Sequence, residues 1–214
     1  MAGVPALKPG ALVHAGAVLE VETGASPYVS RGGLKLAAAL EAFGLEPAGR
    51  VALDIGASTG GFTDVLLARG AAKVYAVDVG RGQLHERLRA DPRVVGLEAT
   101  DARTLDATIV KERVSAIVAD VSFISLTLVL PAALSLAAEG AWLVVLVKPQ
   151  FEAGRAAVGK GGIVRQPAER EKAVARVRTF IDGEGGWTIL GAIASPILGG
   201  SGNEEFLIGA SYGA

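Results

Sequence analysis

From Arg50 onward the chain alternates short strand-like runs with helix-like segments, and this alternation constrains the fold more than any other feature. Val51–Ile55, Lys73–Val77, Val94–Leu97 and residues 116–119 and 142–147 are apolar runs of strand length. Residues 62–69, 83–90, 126–138 and 169–181 carry helical patterning. Strands separated by helices are joined by crossovers, which set them parallel in one sheet covered by helices. Two final strand-like runs, 187–193 and 205–210, are joined by a loop holding Pro196, Gly199, Gly200 and Gly202. They predict an antiparallel hairpin that closes the sheet. The expected class is therefore α/β, with a Rossmann-like, mostly parallel sheet. Upstream, Ser30 as cap and Gly44 as stop predict a helix ending at Phe43.

Composition narrows the function. The 214 residues suffice for one α/β domain with a sizeable core, and half of them are apolar. The absence of cysteine excludes a disulfide scaffold, a thiolate metal site and every mechanism with a cysteine nucleophile. A net charge of −1 does not by itself point to nucleic acid. Between Lys148 and Arg178, however, eight Lys/Arg face three Glu, a local excess of five positive charges. Such a cluster suits phosphate contacts, although a solvated helix face accounts for part of it. Residues 121–138 form an uncharged stretch near the minimum for a membrane span, but Pro131 and four Ser/Thr interrupt it. It reads as a strand end followed by a buried helix, in a soluble cytoplasmic protein without a targeting segment. Residues 1–29 differ from the rest: Leu12–Val13 and Val18–Val21 are short β-like runs with no helix.

A ligand site is written between the first strand and the first helix after it. In Asp54-Ile-Gly-Ala-Ser-Thr-Gly-Gly-Phe62 the glycines Gly56, Gly60 and Gly61 permit a tight turn and close backbone approach, with Ser58, Thr59 and Phe62 in the same loop. Asp78 ends the next strand, where a carboxylate can accept hydrogen bonds from both ribose hydroxyls of an adenosine. The spacing is not that of NAD proteins. An acid just before the first glycine is more typical of S-adenosylmethionine, whose ammonium and sulfonium suit a carboxylate-lined pocket. Asp101, after the third strand, either meets the adenine amine or is a solvated loop aspartate. Further on, Gly154-Arg-Ala-Ala-Val-Gly-Lys160 matches most of a P-loop, but Gly161 stands where its magnesium-binding hydroxyl belongs.

Asp120 and Lys148 each end a strand, and ligands of parallel sheets bind beyond those carboxyl ends. Asp120-Val-Ser-Phe123 lacks the prolines common in amino-group methyltransferases, and cysteine-dependent cytosine methylation is excluded. A hydroxyl acceptor is left. A ribose hydroxyl is weakly acidic, so attack on a sulfonium methyl requires proton removal or strong polarisation of that oxygen. A lysine can do either if burial or a second cation lowers its pKa.

Five segments occur in order: Ser30-Arg-Gly-Gly-Leu-Lys-Leu36, Asp54 to Thr63, Ala119-Asp-Val-Ser-Phe-Ile-Ser125, Val147-Lys-Pro-Gln-Phe-Glu152 and Ser201-Gly-Asn-Glu-Glu-Phe206. Together, from about Tyr28 onward, they resemble the TlyA family, bacterial rRNA cytidine-2′-O-methyltransferases also called haemolysin A, within the FtsJ-like class. The resemblance implies a class I methyltransferase fold over 30–214, S-adenosylmethionine as cofactor, and rRNA or ribosomal subunits as partner. It implies a Lys-Asp-Lys-Glu tetrad of Lys35, Asp120, Lys148 and Glu205, with Glu204 the competing neighbour, and no metal. For Lys35 the residues alone favour a solvated helix lysine. The family's N-terminal S4 RNA-binding domain is incomplete here, and residues 1–29 are expected to be its remnant and linker. Two rival readings are a non-catalytic rRNA- or membrane-associating haemolysin and a methyltransferase for another hydroxyl acceptor.

Overall fold

The computed structural model describes residues 26–200 and 202–213, and the two short β-like runs expected before residue 25 lie outside them. The elements in chain order are α1 (Gly32–Phe43), β1 (Val51–Ile55), α2 (Gly61–Ala68), β2 (Lys73–Val77), α3 (Glu86–Arg89), β3 (Val94–Leu97), β4 (Val114–Ala119), α4 (Leu126–Leu134), β5 (Ala137–Val147), α5 (Pro149–Glu152), α6 (Pro167–Gly183), β6 (Trp187–Ala194) and β7 (Phe206–Tyr212). All seven strands form one sheet in the order β3-β2-β1-β4-β5-β7-β6. β1 to β5 pair parallel, whereas β7 inserts antiparallel between β5 and β6. The C-terminal hairpin therefore closes the sheet, as its loop chemistry predicts.

Strand periodicity divides the core into two layers. Successive side chains of a strand point to opposite faces. Leu143, Val145 and Val147 of β5 join α4 and α6 in one apolar cluster. Trp142, Val144 and Leu146 join α1 and α2 in the other. Leu36 and Leu40 of α1 are fully buried there, each worth about 1.5–3 kcal/mol relative to exposure. The ring of Phe43 anchors the far end of α1 on the sheet. It lies on Gly209 of β7, where a Cβ would collide with it. That contact fixes α1 over β7, the two elements that later supply Lys35 and Glu205.

Several boundaries differ from the sequence expectation. Arg31, not Ser30, occupies the N-cap of α1, and no side chain caps it; Gly44 does end the helix, at φ +63°. The expected helix over 83–90 is one turn, Glu86–Arg89, capped by His85 Nδ1 on the Arg87 N–H. The helix expected to reach residue 138 ends at Leu134, and the chain is already in β5 at Ala137. That stretch is uncharged and mostly apolar, so periodicity cannot separate a buried helix from the buried strand that follows. Pro149 opens a short helix, α5, at its first helical position, with Lys148 extended before it. No helix among the described residues is long and apolar enough to cross a membrane.

Candidate active site

The strand order reverses between β1 and β4, because β2 and β3 lie to one side and β4 and β5 to the other. A crevice opens at such a switch point, beyond the carboxyl ends of the strands. Here it is walled by the β1–α2 loop and by the segments that follow β4 and β5. The Asp120 N–H donates to the Ile55 carbonyl at 2.9 Å, which locks the two strand ends together. Gly56 turns the chain at φ +79°, and any Cβ there would strike the Asp120 carbonyl oxygen. The glycine is required by both conformation and space.

Two cavities share this crevice and have Gly56, Ser58, Asp120 and Ser122 in common. One, of about 310 Å³, is lined by Lys35, Thr59, Gly61, Phe62, Asp120 and Lys148 among others. The other, of about 480 Å³, is lined by Asp78, Asp101, Val121 and Phe123 among others. Asp78 directly follows β2, with one oxygen accepting from the Ser58 N–H at 2.8 Å and the other from the Gly80 N–H at 2.7 Å. Its carboxylate is thereby oriented at the cavity wall while keeping lone pairs for further donors. Asp101 also reaches this wall, but the Arg103 side chain engages both of its oxygens. Those bonds hold its pKa down at about 2.

Asp54 and Gly60 line neither cavity. By strand parity Asp54 points toward α1 and α2, where its carboxylate is fully buried and accepts the Thr63 hydroxyl at 2.6 Å. A carboxylate on the pocket surface, as the sequence suggests, is therefore not what Asp54 supplies; it braces the loop from behind. Burial pushes its pKa up to about 7, helped by the charges of Asp120 and Asp78 and opposed by the Thr63 bond. Among the described residues its second oxygen has no hydrogen-bond partner, a buried acceptor directly behind the glycine loop. Gly60 acts through conformation, at φ +96°, with Leu88 packed where a Cβ would stand.

The four residues of the expected tetrad come together as two ion pairs. Lys148 Nζ lies 2.6 Å from Asp120 Oδ1, at an angle outside hydrogen-bond geometry, and donates to Ser122 Oγ at 2.9 Å. Lys35 Nζ lies 2.5 Å from Glu205 Oε2. Lys35 is buried, not solvated, because Gly33 lets the start of α1 sit against the Tyr28 ring and the helix then lies flat on the sheet. Glu205 precedes β7 and is 4% exposed, while Glu204 turns outward to pair with Arg170. Alternation along an extended chain thus sends only one of the two acids inward. No cluster of His, Cys, Asp or Glu among the described residues could hold a metal ion.

Three neighbours were not singled out by sequence reasoning. Ser122 bridges to Lys148. Arg31 lines the smaller cavity beside Lys35. Phe123 is 90% exposed at the mouth of the larger cavity and adopts φ +65°, a conformation unfavourable for a side chain with a Cβ. An exposed aromatic is invisible to a pattern that seeks apolar residues in the core.

Comparisons with known proteins identify the family of this fold. Residues 28–212 match the FtsJ-like methyltransferase family. The 16S/23S rRNA (cytidine-2′-O)-methyltransferase TlyA of Mycobacterium tuberculosis is 52% identical over 96% of this chain and 77% of its own length. Hemolysin A of Brachyspira hyodysenteriae is 46% identical over 84% of this chain and 75% of its own. An O-methyltransferase from Bacillus cereus in complex with SAH has the same fold, with a TM-score of 0.58 at 19% identity over 86% of this chain and 82% of that one. With a seven-stranded class I methyltransferase sheet, and with a match that runs through nearly all of its length, the chain belongs to the FtsJ-like methyltransferases and, among them, to the TlyA family.

Proposed function

We propose that the protein transfers the methyl group of S-adenosylmethionine to the ribose 2′-hydroxyl of a cytidine in ribosomal RNA. The observation that carries this reading is the convergence of the Lys35–Glu205 and Lys148–Asp120 pairs on one cavity beside the glycine loop. The larger cavity suits the nucleoside of the cofactor, with Asp78 as acceptor for its ribose hydroxyls and Asp101 on the same wall. When bound, the cofactor supplies an electrophilic methyl on a sulfonium. Gly56, Ser58, Thr59, Gly60, Gly61 and Phe62 shape the passage toward the smaller cavity, where the acceptor would enter.

The chain's own residues then have distinct tasks. Lys148, held by Asp120 and Ser122, presents its amine at the shared wall of the two cavities and polarises or deprotonates the incoming hydroxyl. Asp120 fixes that amine. Lys35, held by Glu205, adds a second cation that stabilises negative charge on the acceptor oxygen. Water exclusion by the buried walls strengthens both interactions. The exposed Phe123 ring offers a stacking surface for an unpaired base, the form in which single nucleotides are presented to enzymes of this kind.

RNA as partner is supported by charge as well as by kinship. Arg155, Lys160, Arg165, Lys172, Arg176 and Arg178 are all exposed on the segment from the α5 turn through α6. Residues 1–29 are proposed to be the remnant of an S4-like RNA-binding domain and its linker. The test is methylation of purified ribosomal subunits with labelled cofactor, followed by nuclease digestion and mass spectrometry. A methyl on cytidine ribose supports the reading. A methyl on a base, or transfer to small hydroxyl compounds but not to RNA, refutes it.

A further inference from the structure

We propose that Glu152 is a positioning residue for methyl transfer, which locks the loop carrying Asp120 against the turn carrying Lys148. The inference rests on the reading that those two residues perform the chemistry. Glu152 lies outside both cavities, and its side chain hydrogen-bonds to Ser125 and Leu126 rather than to Asp120 or Lys148. It is a carboxylate only 3% exposed, and a buried carboxylate is costly unless hydrogen bonds compensate it. Its Oε1 accepts the Leu126 N–H at 2.7 Å, and its Oε2 accepts the Ser125 hydroxyl at 2.6 Å.

Helix capping alone does not explain this acid. Ser125 already occupies the N-cap of α4 and accepts from the Thr127 N–H. What Glu152 adds is a link between two strand-end segments. The segment after β4 and the segment after β5 meet in a series of contacts that run in the same order along both. Asp120 and Ser122 meet Lys148, the rings of Phe123 and Phe151 pack at a tilt of 52° with centroids 5.1 Å apart, and Ser125 and Leu126 meet Glu152. The last contact is the only buried and charge-assisted one, and it closes the series at the end away from solvent. On its other side the Glu152 carbonyl accepts from Arg176 of α6 at 3.2 Å, which ties the turn to the helix layer.

The loop so held is not one the chain adopts freely. Phe123 sits at φ +65° in its middle, a conformation that costs a non-glycine residue on the order of 1 kcal/mol. Without the Glu152 anchor the loop can relax toward ordinary backbone angles and carry Asp120 and Ser122 away from Lys148. Catalytic distances tolerate little of this, since a displacement of about 1 Å can cost on the order of 100-fold in rate.

The experiment compares Glu152→Ala, Glu152→Asp and Glu152→Gln in single-turnover methylation of ribosomal subunits, with Lys148→Ala as reference. Cofactor affinity by calorimetry and thermal midpoint are measured on the same samples. Glutamine can accept from Leu126 and donate to Ser125, so E152Q should keep the rate within about 3-fold, while E152A should lose roughly 10- to 100-fold. Cofactor affinity and the RNA concentration for half-saturation should change less than about 2-fold in both, because the side chain lines neither cavity. E152D, one methylene shorter, cannot reach both donors and should fall between them; if E152A does not fold, E152D against E152Q gives the same contrast. The proposal is overturned if E152A or E152D turns over at the unmodified rate while Lys148→Ala is inactive. It is equally overturned if E152Q falls as far as E152A, or if the rate losses only follow lost thermal stability. An active Lys148→Ala would instead overturn the assignment of the chemistry on which the proposal depends.

Discussion

Replacing Lys35 by methionine removes the cation that faces the Glu205 carboxylate and keeps the helix face filled. The two side chains are 11% and 3% exposed and 2.5 Å apart, so the pair is shielded from solvent screening. Removing one partner of such a pair costs about 3–5 kcal/mol, because the remaining charge is buried without compensation. For a chain of this size that corresponds to a fall in the thermal midpoint of roughly 6–20 °C. Neutralising the other partner as well should recover most of the loss, so Lys35→Met/Glu205→Gln should unfold close to the original protein. Methyl transfer should stay lost in both variants, since neither has the second cation at the acceptor oxygen. Urea denaturation of the two single variants and the double variant gives the coupling directly. If the double variant loses the sum of the two single losses, the pair is not a compensated buried ion pair and the reasoning fails. If the stable double variant methylates ribosomal subunits normally, Lys35 and Glu205 have no part in the chemistry.

Lys148→Ala should retain cofactor affinity and lose turnover; near-normal rates in single-turnover assays would make Lys148 structural. Its partner Asp120 is 23% exposed in its side chain, so this variant should lose less stability than Lys35→Met. Asp78→Ala should weaken S-adenosylmethionine binding by about 1.5–3 kcal/mol through loss of a charged acceptor, measured by calorimetry on the folded variant; an unchanged affinity removes Asp78 from the site. Asp54 should impose a pH dependence on folding. Its pKa rises from 3.8 to about 7 in the folded protein, so the folded state binds this proton more tightly than the unfolded chain. The resulting stability is fully present below about pH 3.8 and is lost as the pH rises through about 7, by no more than about 4 kcal/mol. Asp54→Asn should flatten that window in urea unfolding curves taken from pH 4 to pH 8, and an unchanged slope would show that Asp54 is ionised throughout.

The alternation from Arg50 to Val147 is enough to specify a parallel sheet, because each of those strands reads as a bounded apolar run and each crossover has one favoured hand. The position of the site follows from the same pattern. Gly56 with its loop, Asp78, Asp120 and Lys148 all stand at carboxyl ends of strands, where parallel sheets open. These are local signals, and the chain carries them without reference to any distant contact. Lys35 and Glu205 are different. They lie 170 residues apart, and each alone reads as a surface charge. Only the packing of α1 over β7, fixed by Phe43 on Gly209, brings them together and buries both; the resemblance to known sequences pointed to them, but their spacing does not. Asp54 shows the converse, since its place in the motif suggests an acid on the pocket surface and strand parity turns it into the interior. The end of α4, the exposed Phe123 and the clamp by Glu152 likewise depend on which apolar or charged groups arrive from other segments. Patterns of polarity determine which face of an element seeks the core. Which side chains finally meet, and at what burial, is decided by layer packing that the local sequence does not encode.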